Sequence, residues 1–348
     1  NSPYLFKDME KIVRRLDEAQ KACEKLLIYG DYDADGVTAT ALLYKALLKF
    51  GFNVLVHIPK RDDGYGLHKN IIEKAAENGI SVIITVDCGI TACEEIKLAS
   101  ALGLDLIITD HHEPGEVLPE AYGILNAKVE NSGYPFRHLA GVGVAYKLVQ
   151  ALFVYYGLPF DLCGTEGDYL DLVALGTIAD IVPLIGENRI LVKYGLQVME
   201  KTKHPGLKAL LEECGLSGKK LKAGQISFMV APRINAAGRM DTARLALNLF
   251  LEENYEHALA MAKELTTENQ RRQATEKNIL QEAEDILNQA PLPPVIVLSS
   301  PAWHHGVIGI VASRLVEKYH RPVFMISEEE DKAKGSARGI EDYNVIEE

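Results

Sequence analysis

The acids of this sequence fall where metal-dependent phosphoryl chemistry would need them. Asp31, Asp33 and Asp35 directly follow the apolar run KLLIYG, Asp87 ends SVIITV, and Asp110, His111 and His112 end LDLIIT. In open parallel α/β sheets, sites form just outside the carboxyl ends of the strands, so three separate runs would deliver carboxylates and imidazoles to one rim. One Asp at a strand end is as often a turn residue or a helix cap; three strand ends together favour a shared site. Carboxylates forced close together cannot all stay ionised unless cations neutralise them. Oxygen donors with one or two imidazoles suit Mn²⁺ or Mg²⁺, whereas zinc favours sulfur or more histidines. Two ions bridged by a shared carboxylate would activate a water and stabilise both oxygens of an in-line phosphoryl displacement. Asp180, closing LDLVALGTIAD, is either a further ligand or a helix-terminal residue.

The elements that must position these groups are legible as alternation. KLLIYG, NVLVHI, SVIITVD and LDLIITD read as buried strands, separated by helical patterns over residues 38–50, 70–78 and 91–102. That is the signature of βαβ units and a parallel sheet. Further helical periods over 142–156 and 169–178 complete an α/β domain expected to span 1–245. Residues 252–288 contain no proline or glycine, and their apolar positions sit at the two ends of a polar middle, TTENQRRQATEK. A helix polar on every side bridges domains, so 246–290 reads as a connecting helix, with a long surface helix of one domain as the alternative. VIVLSS, GVIGIVASRLVEKY and PVFMIS then form a second, smaller α/β unit over 291–348. No internal repeat is present.

Composition sets outer bounds. A chain of 348 residues, 47% hydrophobic and 25% charged, can bury a large core and is expected to form two or three domains. Its apolar runs are too short to span a bilayer, and no charged start with an apolar core precedes them, so a soluble, cytoplasmic protein without membrane association is expected. Five cysteines without a CxxC pair fit neither a disulfide framework nor a zinc ribbon, and Cys88 and Cys93 read as structural thiols. The formal net charge of -12 argues against a nucleic-acid partner at first sight. A site that gathers carboxylates around divalent ions is acidic by sequence and much less so once loaded. The chain opens on Asn1 and stops at Glu348 in mid-pattern, which leaves room for further domains.

GDYDADGVTA, VDCG, TDHH and GTIAD, in this order and at these separations, resemble the four metal motifs of the DHH phosphoesterases. HLAGVGVAYKL, PRINAAGRM, WHHGVIGIVASRL and GSARG are similar to motifs of the RecJ-like branch of that family, and the likeness runs from about residue 4 to the last residues. The resemblance implies a parallel-sheet catalytic domain, a long helix and a smaller DHH-associated domain. It implies two ions, Mn²⁺ or Mg²⁺, with Asp33 and Asp87 on one, and Asp35, Asp87, His111 and Asp180 on the other. It gives His112, Asp87 and Arg239 catalytic roles, and gives substrate contacts to Arg61, Asn235, Arg239, His305, Ser336 and Arg338, with Ser336 and Arg338 at the terminal phosphate. The activity implied is 5′-to-3′ exonucleolytic hydrolysis of single-stranded DNA to 5′-mononucleotides in DNA repair and recombination, by a monomer, with single-strand-binding protein or a helicase as partners. One position departs from the pattern. Family members often carry a histidine four residues before the acid matching Asp33, and Tyr29 stands there, which would leave the first metal without an imidazole.

Arginine placement bears on the substrate. Arg61, Arg233, Arg239 and Arg338 lie in glycine-containing motifs, where a guanidinium fork can take two phosphate oxygens or form a rim salt bridge. Trp303 either stacks a base or fills a core. His304 and His305 precede a helix whose glycines suit an anion at its N-terminus, or they simply pack. Three other functions compete. A haloacid-dehalogenase-like phosphatase would use Asp33 as nucleophile, but leaves Asp87 and the DHH triplet unexplained. A DHH-type pyrophosphatase or a phosphodiesterase for short oligonucleotides or cyclic dinucleotides would use the same metal core. An inactive nucleic-acid-binding scaffold would not need intact ligands.

Overall fold

The computed structural model describes residues 1–60, 64, 66–158, 169–240, 243–328 and 332–341; Arg61 lies outside the described residues. The four apolar runs form strands β1 (Lys25–Tyr29), β2 (Asn53–His57), β3 (Ile80–Val86) and β4 (Asp105–Thr109). A fifth, β5 (Gly123–Leu125), is too short to stand out in the sequence. They form one parallel sheet in the order β2-β1-β3-β4-β5, with Tyr29 beside His57 and Thr85, and Val86 beside Thr109. The carboxyl ends are therefore level, and the residues after them share a rim.

Alternate strand residues serve opposite faces of the sheet. Leu26, Ile28, Val82 and Ile84 enter the larger core with helices α1 (Met9–Lys21), α2 (Ala34–Lys49), α5 (Gly141–Tyr155) and α6 (Leu170–Ala179). Leu27, Tyr29, Ile83 and Ile108 enter a smaller core with α3 (Lys69–Glu77) and α4 (Cys93–Ala101). Helices α5 and α6 bury nearly every residue, which fits sequences apolar on all sides. Outside α6 lie α7 (Gly186–Met199) and α8 (Pro205–Glu213). A short α9 (Ala223–Gln225) runs through a π turn, Ile226–Val230, into α10 (Ala231–Arg239) and then α11 (Ala243–Leu251).

The expected helix over 246–290 is divided. Asn254 caps a new helix, α12 (Tyr255–Leu287), its side-chain oxygen accepting from the N–H groups of Glu256 and His257 at 2.9 and 3.1 Å. The compact units are Asn1–Leu265 and Thr266–Glu348, so the division falls within α12 rather than near 245. The reason is packing: Ala258, Ala262 and Leu265 belong to the first core, whereas Ile279 and Ala283 belong to that of the second unit. The polar middle of the helix is not exposed on every side. Glu276 is 2% exposed and pairs with Arg272 and with Arg314 of α13 (His305–Tyr319). In the second unit, β6 (Ile296–Ser300) pairs parallel with β7 (Val323–Glu328), which pairs antiparallel with β8 (Ala333–Arg338). Among the described residues, no helix is long and apolar enough to cross a membrane.

Candidate metal-dependent active site

The segments that leave three strand ends assemble the site. After β1, Asp33 caps α2 by accepting from Gly36 N–H at 2.9 Å, and Asp35 stands in the first turn of that helix. Asp87 follows β3 with a left-handed backbone, φ 61°, a conformation that Asp tolerates better than most residues. His111 and His112 follow β4, and Asp180 is the C-cap of α6. Potential ligand atoms fall into three groups, each within 4.8 Å: Asp31, Asp33 and Asp87; Asp35, His111 and Asp180; Asp87, His111 and His112. His111 Nε2 lies 3.0 Å from Asp87 and 3.9 Å from Asp35, while its Nδ1 lies 3.6 Å from Asp180. The sequence-derived metal set, Asp33, Asp35, Asp87, His111 and Asp180, thus meets at one place. Asp31 joins it as a buried neighbour that the metal set did not include.

Small residues make this convergence possible. The carboxylate of Asp35 accepts from the first N–H groups of α5, Gly141 at 2.6 Å and Val142 at 2.9 Å, so the positive end of a helix dipole faces the acids. A Cβ on Gly141 would sit 2.5 Å from the Asp87 carboxylate. One on Gly176 of α6 would sit 2.8 Å from that of Asp35.

The electrostatics fit cations. Burial, then the charge of Asp180, pushes Asp35 up to about 7; burial, then Asp33, does the same to Asp180. Asp87 is driven well above the usual carboxylate range by burial and by Asp35. Burial holds His111 low, which keeps its imidazole neutral and able to ligate. His111 Nε2 and Asp180 Oδ2 are both buried without a hydrogen bond among the described residues. Hard oxygen donors with a neutral imidazole, raised acids and such orphaned atoms fit Mn²⁺ or Mg²⁺.

Asp110 has a different task. Fully buried, it accepts from the N–H groups of Ile90, His111 and His112, and from His112 Nδ1 at 2.8 Å. Burial opposes its charge, but the bond and charge of His112 together with the backbone N–H groups outweigh that and hold its pKa below the usual range. Burial lowers the pKa of His112, but the same bond and the charges of Asp110, Asp180 and Asp31 together raise it, and Nε2 is left as the ring's other polar atom. Asn126, just past β5, fixes the His112 carbonyl at 2.9 Å. The shortness of β5 hid Asn126 in the sequence.

The proposed substrate residues divide by unit. In the first, Asn235 Oδ1 accepts from Ala34 N–H at 2.8 Å and so holds the Asp33–Asp35 turn. A Cβ on Gly238 would sit 2.4 Å from the Tyr32 carbonyl, so α10 packs against the same turn with Arg239 as its last residue. Arg233 bonds to the Met229 carbonyl within its own helical run. Tyr29 is fully buried, its hydroxyl donating to the Gly66 carbonyl at 3.1 Å. In the second unit, Arg338 donates to Ser336 and to Ser313 of α13 at 3.2 Å each, beside Gly309, where a Cβ would meet Ser336 at 2.9 Å. His304 caps α13 through Nδ1, which accepts from Gly306 N–H, and its ring stacks on His305 at 5.0 Å. Trp303 is a core residue rather than a stacking platform: it is 3% exposed, and its indole N–H donates to Glu282 at 2.8 Å.

Comparison with known proteins agrees with this geometry. Residues 25–177 match the model of the DHH family, N-terminal domain, and residues 292–347 that of the DHHA1 domain. The chain is 42% identical over 349 residues to the single-stranded-DNA-specific exonuclease RecJ of Bacillus subtilis, covering 99% of this chain and 43% of that protein. It is therefore under half the length of that relative. A crystal structure of exonuclease RecJ bound to manganese superposes with a TM-score of 0.87 at 38% identity, covering 98% of this chain and 84% of the other. RecJ from Thermus thermophilus in complex with Mg²⁺ superposes with a TM-score of 0.74 at 34% identity, covering 98% and 46%.

Proposed function

Because the chain belongs to the RecJ branch of the DHH phosphoesterase family, we propose that it hydrolyses single-stranded DNA from the 5′ end, releasing 5′-mononucleotides, with two Mn²⁺ or Mg²⁺ ions. One observation carries this: buried Asp35, Asp87 and His111 converge with half-buried Asp180 on one place beside a histidine oriented by its own carboxylate. Asp33 and Asp87 would hold one ion, and Asp35, Asp87, His111 and Asp180 the other. When bound, the ions polarise the phosphodiester and lower the pKa of an attacking water. The chain's own residues do the rest. Asp110 accepts a hydrogen bond from Nδ1–H of His112 and favours the protonated ring, whose Nε2–H can then donate to a phosphate oxygen. Arg239 adds a guanidinium from the end of α10, and Asn235 keeps the acidic turn in place. Ser336 and Arg338 supply an anion-binding pair for the terminal phosphate, with Arg61 and His305 as further contacts. The setting we assign is DNA repair and recombination in the cytoplasm, as a monomer working with single-strand-binding protein or a helicase. A covalent route through Asp33 would leave Asp87, His111 and Asp180 without a task.

Digestion of end-labelled single strands of both polarities with Mn²⁺ and Mg²⁺ tests activity, direction and cofactor together. Stepwise loss from the 5′ end, sparing circular strands and duplexes, is expected. Equal cleavage of circular and linear strands would overturn the exonuclease assignment. A preference for dinucleotides over long strands would favour a short-oligonucleotide phosphodiesterase.

A further inference from the structure

A groove of about 240 Å³ opens between the carboxyl end of β2 and α11, and none of the roles above uses it. Its polar lining is His57, Lys60, Arg244 and Asn248, over an apolar floor that includes Pro59 and Leu247. Among its described lining residues there is no carboxylate, although the chain carries 49 acids and a net charge of -12. The groove also adjoins the catalytic rim. Gly30, the residue before Asp31, donates its N–H to the carbonyl of His57 at 2.9 Å, and α11 packs on α2, whose first turn carries Asp35.

We propose that this groove holds a backbone phosphate of the single strand beyond the scissile bond, with Arg244 as its main contact. The inference rests on the nuclease function proposed above, but it concerns a different part of the substrate. A guanidinium binds two phosphate oxygens through its fork, Asn248 adds a neutral donor, and the apolar floor suits a deoxyribose. The contact reads no base, so it would serve any sequence. A strand anchored there and at the metals would be drawn along the edge of the sheet towards β2. A dinucleotide, which has no phosphate beyond the scissile one, would not reach the groove.

Arg244→Ala removes an exposed side chain, and the unchanged melting temperature expected of it is checked first. With Mn²⁺, KM for a 5′-phosphorylated 20-mer should rise about 10-fold with kcat nearly unchanged, while dinucleotide hydrolysis stays as before. Binding of the 20-mer in EDTA, followed by anisotropy, should weaken by a similar factor, and the slope of log affinity against log salt should fall by about 0.7, the share of one phosphate on a single strand. Lys219→Ala, which removes an exposed positive charge elsewhere, should do none of this. Equal losses on dinucleotide and 20-mer, an Arg244→Ala protein that binds and cuts the 20-mer normally, or an equal effect of Lys219→Ala would each overturn the groove assignment. If the unsubstituted chain binds the 20-mer in EDTA but cuts no strand with either metal, the nuclease assignment fails, and the binding comparison alone decides the groove.

Discussion

Gly141→Ala offers a sharp test of the site because its methyl group would strike one proposed ligand, Asp87, at the residue whose N–H holds another, Asp35. The new Cβ would lie 2.5 Å from Asp87 Oδ1 and 2.7 Å from Asp87 Cβ, and the Gly141 N–H itself holds Asp35 at 2.6 Å. Neither neighbour can yield easily, since Asp87 is fixed by a left-handed backbone and its N–H is tied to the Thr109 carbonyl. Overpacking of this kind costs about 1 to 3 kcal/mol. Alanine regains roughly 1 kcal/mol over glycine in a helix. The net loss of stability should therefore be at most about 2 kcal/mol, or roughly 4 to 8 °C in melting temperature for a unit of this size. Activity should suffer far more, because a displacement near 1 Å in such a constellation costs about 100-fold. The comparison variant lies two residues away. A Cβ on Gly143 would meet only the side chain of Leu139, at 3.3 Å, so Gly143→Ala should keep activity within about threefold. Melting curves and manganese-dependent hydrolysis of a labelled single strand measure both quantities. A folded Gly141→Ala protein with near-normal turnover, or equal losses from the two alanines, would refute the view that α5 seats the ligands.

Other outcomes rest on the same geometry. Asp87→Ala should abolish cleavage while leaving the circular dichroism spectrum native, and near-normal turnover would remove the shared-carboxylate arrangement. Lys147→Met should cost about 1.5 to 3 kcal/mol, because the carboxylate of Glu187, 8% exposed, loses its buried cation and keeps only Tyr134 at 2.7 Å and Asn1 at 2.9 and 3.3 Å. Burial pushes Glu187 up, but Lys147, Tyr134 and the amino terminus together outweigh it and the net pKa is lowered, so this stability is present above the ordinary glutamate range and lost as pH falls through the lowered value. The acid-unfolding midpoint of Lys147→Met should accordingly move to higher pH, and an unmoved midpoint counts against the pairing. Arg338→Ala should slow hydrolysis of 5′-phosphorylated strands by roughly 10- to 150-fold, from a charge-assisted bond worth about 1.5 to 3 kcal/mol. The loss should shrink on 5′-hydroxyl strands; equal slowing of the two would remove the end-phosphate role.

Much of the site was legible because its ligands sit at ends of elements that announce themselves. Runs such as SVIITV are long, branched and apolar, and the residue after each is necessarily at a strand end, so Asp33, Asp87 and His111 could be placed on one rim from order alone. Asp180 was less secure, since a helix-terminal acid looks the same whether it caps or ligates. The missed features are those without a periodic signal. β5 has three residues, so Asn126 had no visible strand to end. Asp110 sits beside two histidines, and only geometry shows that it orients His112 rather than joining the ligand groups. The start of α12 was misplaced because no proline or glycine separates it from α11, and the one signal there is Asn254, a favoured cap residue. Trp303 could not be assigned by type, because an aromatic ring serves a core or a base equally well until its burial is known.

The glycines of the motifs are best understood through the acids rather than through turns. Buried carboxylates repel one another, and Asp35, Asp87 and Asp180 all sit above their usual pKa range for that reason and because water is excluded. A fold tolerates such a cluster only if something positive comes close. Part of that is the helix α5 N-terminus, which can approach Asp35 and Asp87 only because Gly141 has no Cβ. Gly176 lets α6 bring Asp180 to the same place, and Gly238 lets α10 bring Arg239 to the turn that carries Asp33. Each motif therefore pairs a charged residue with a glycine two or more elements away, or next to it, for one electrostatic purpose. Half a unit of helix-dipole charge cannot balance several carboxylates, and divalent cations can. Net charge is therefore no objection: the acids gather at the rim that would hold the ions, while the described residues lining the groove beside β2 include no carboxylate.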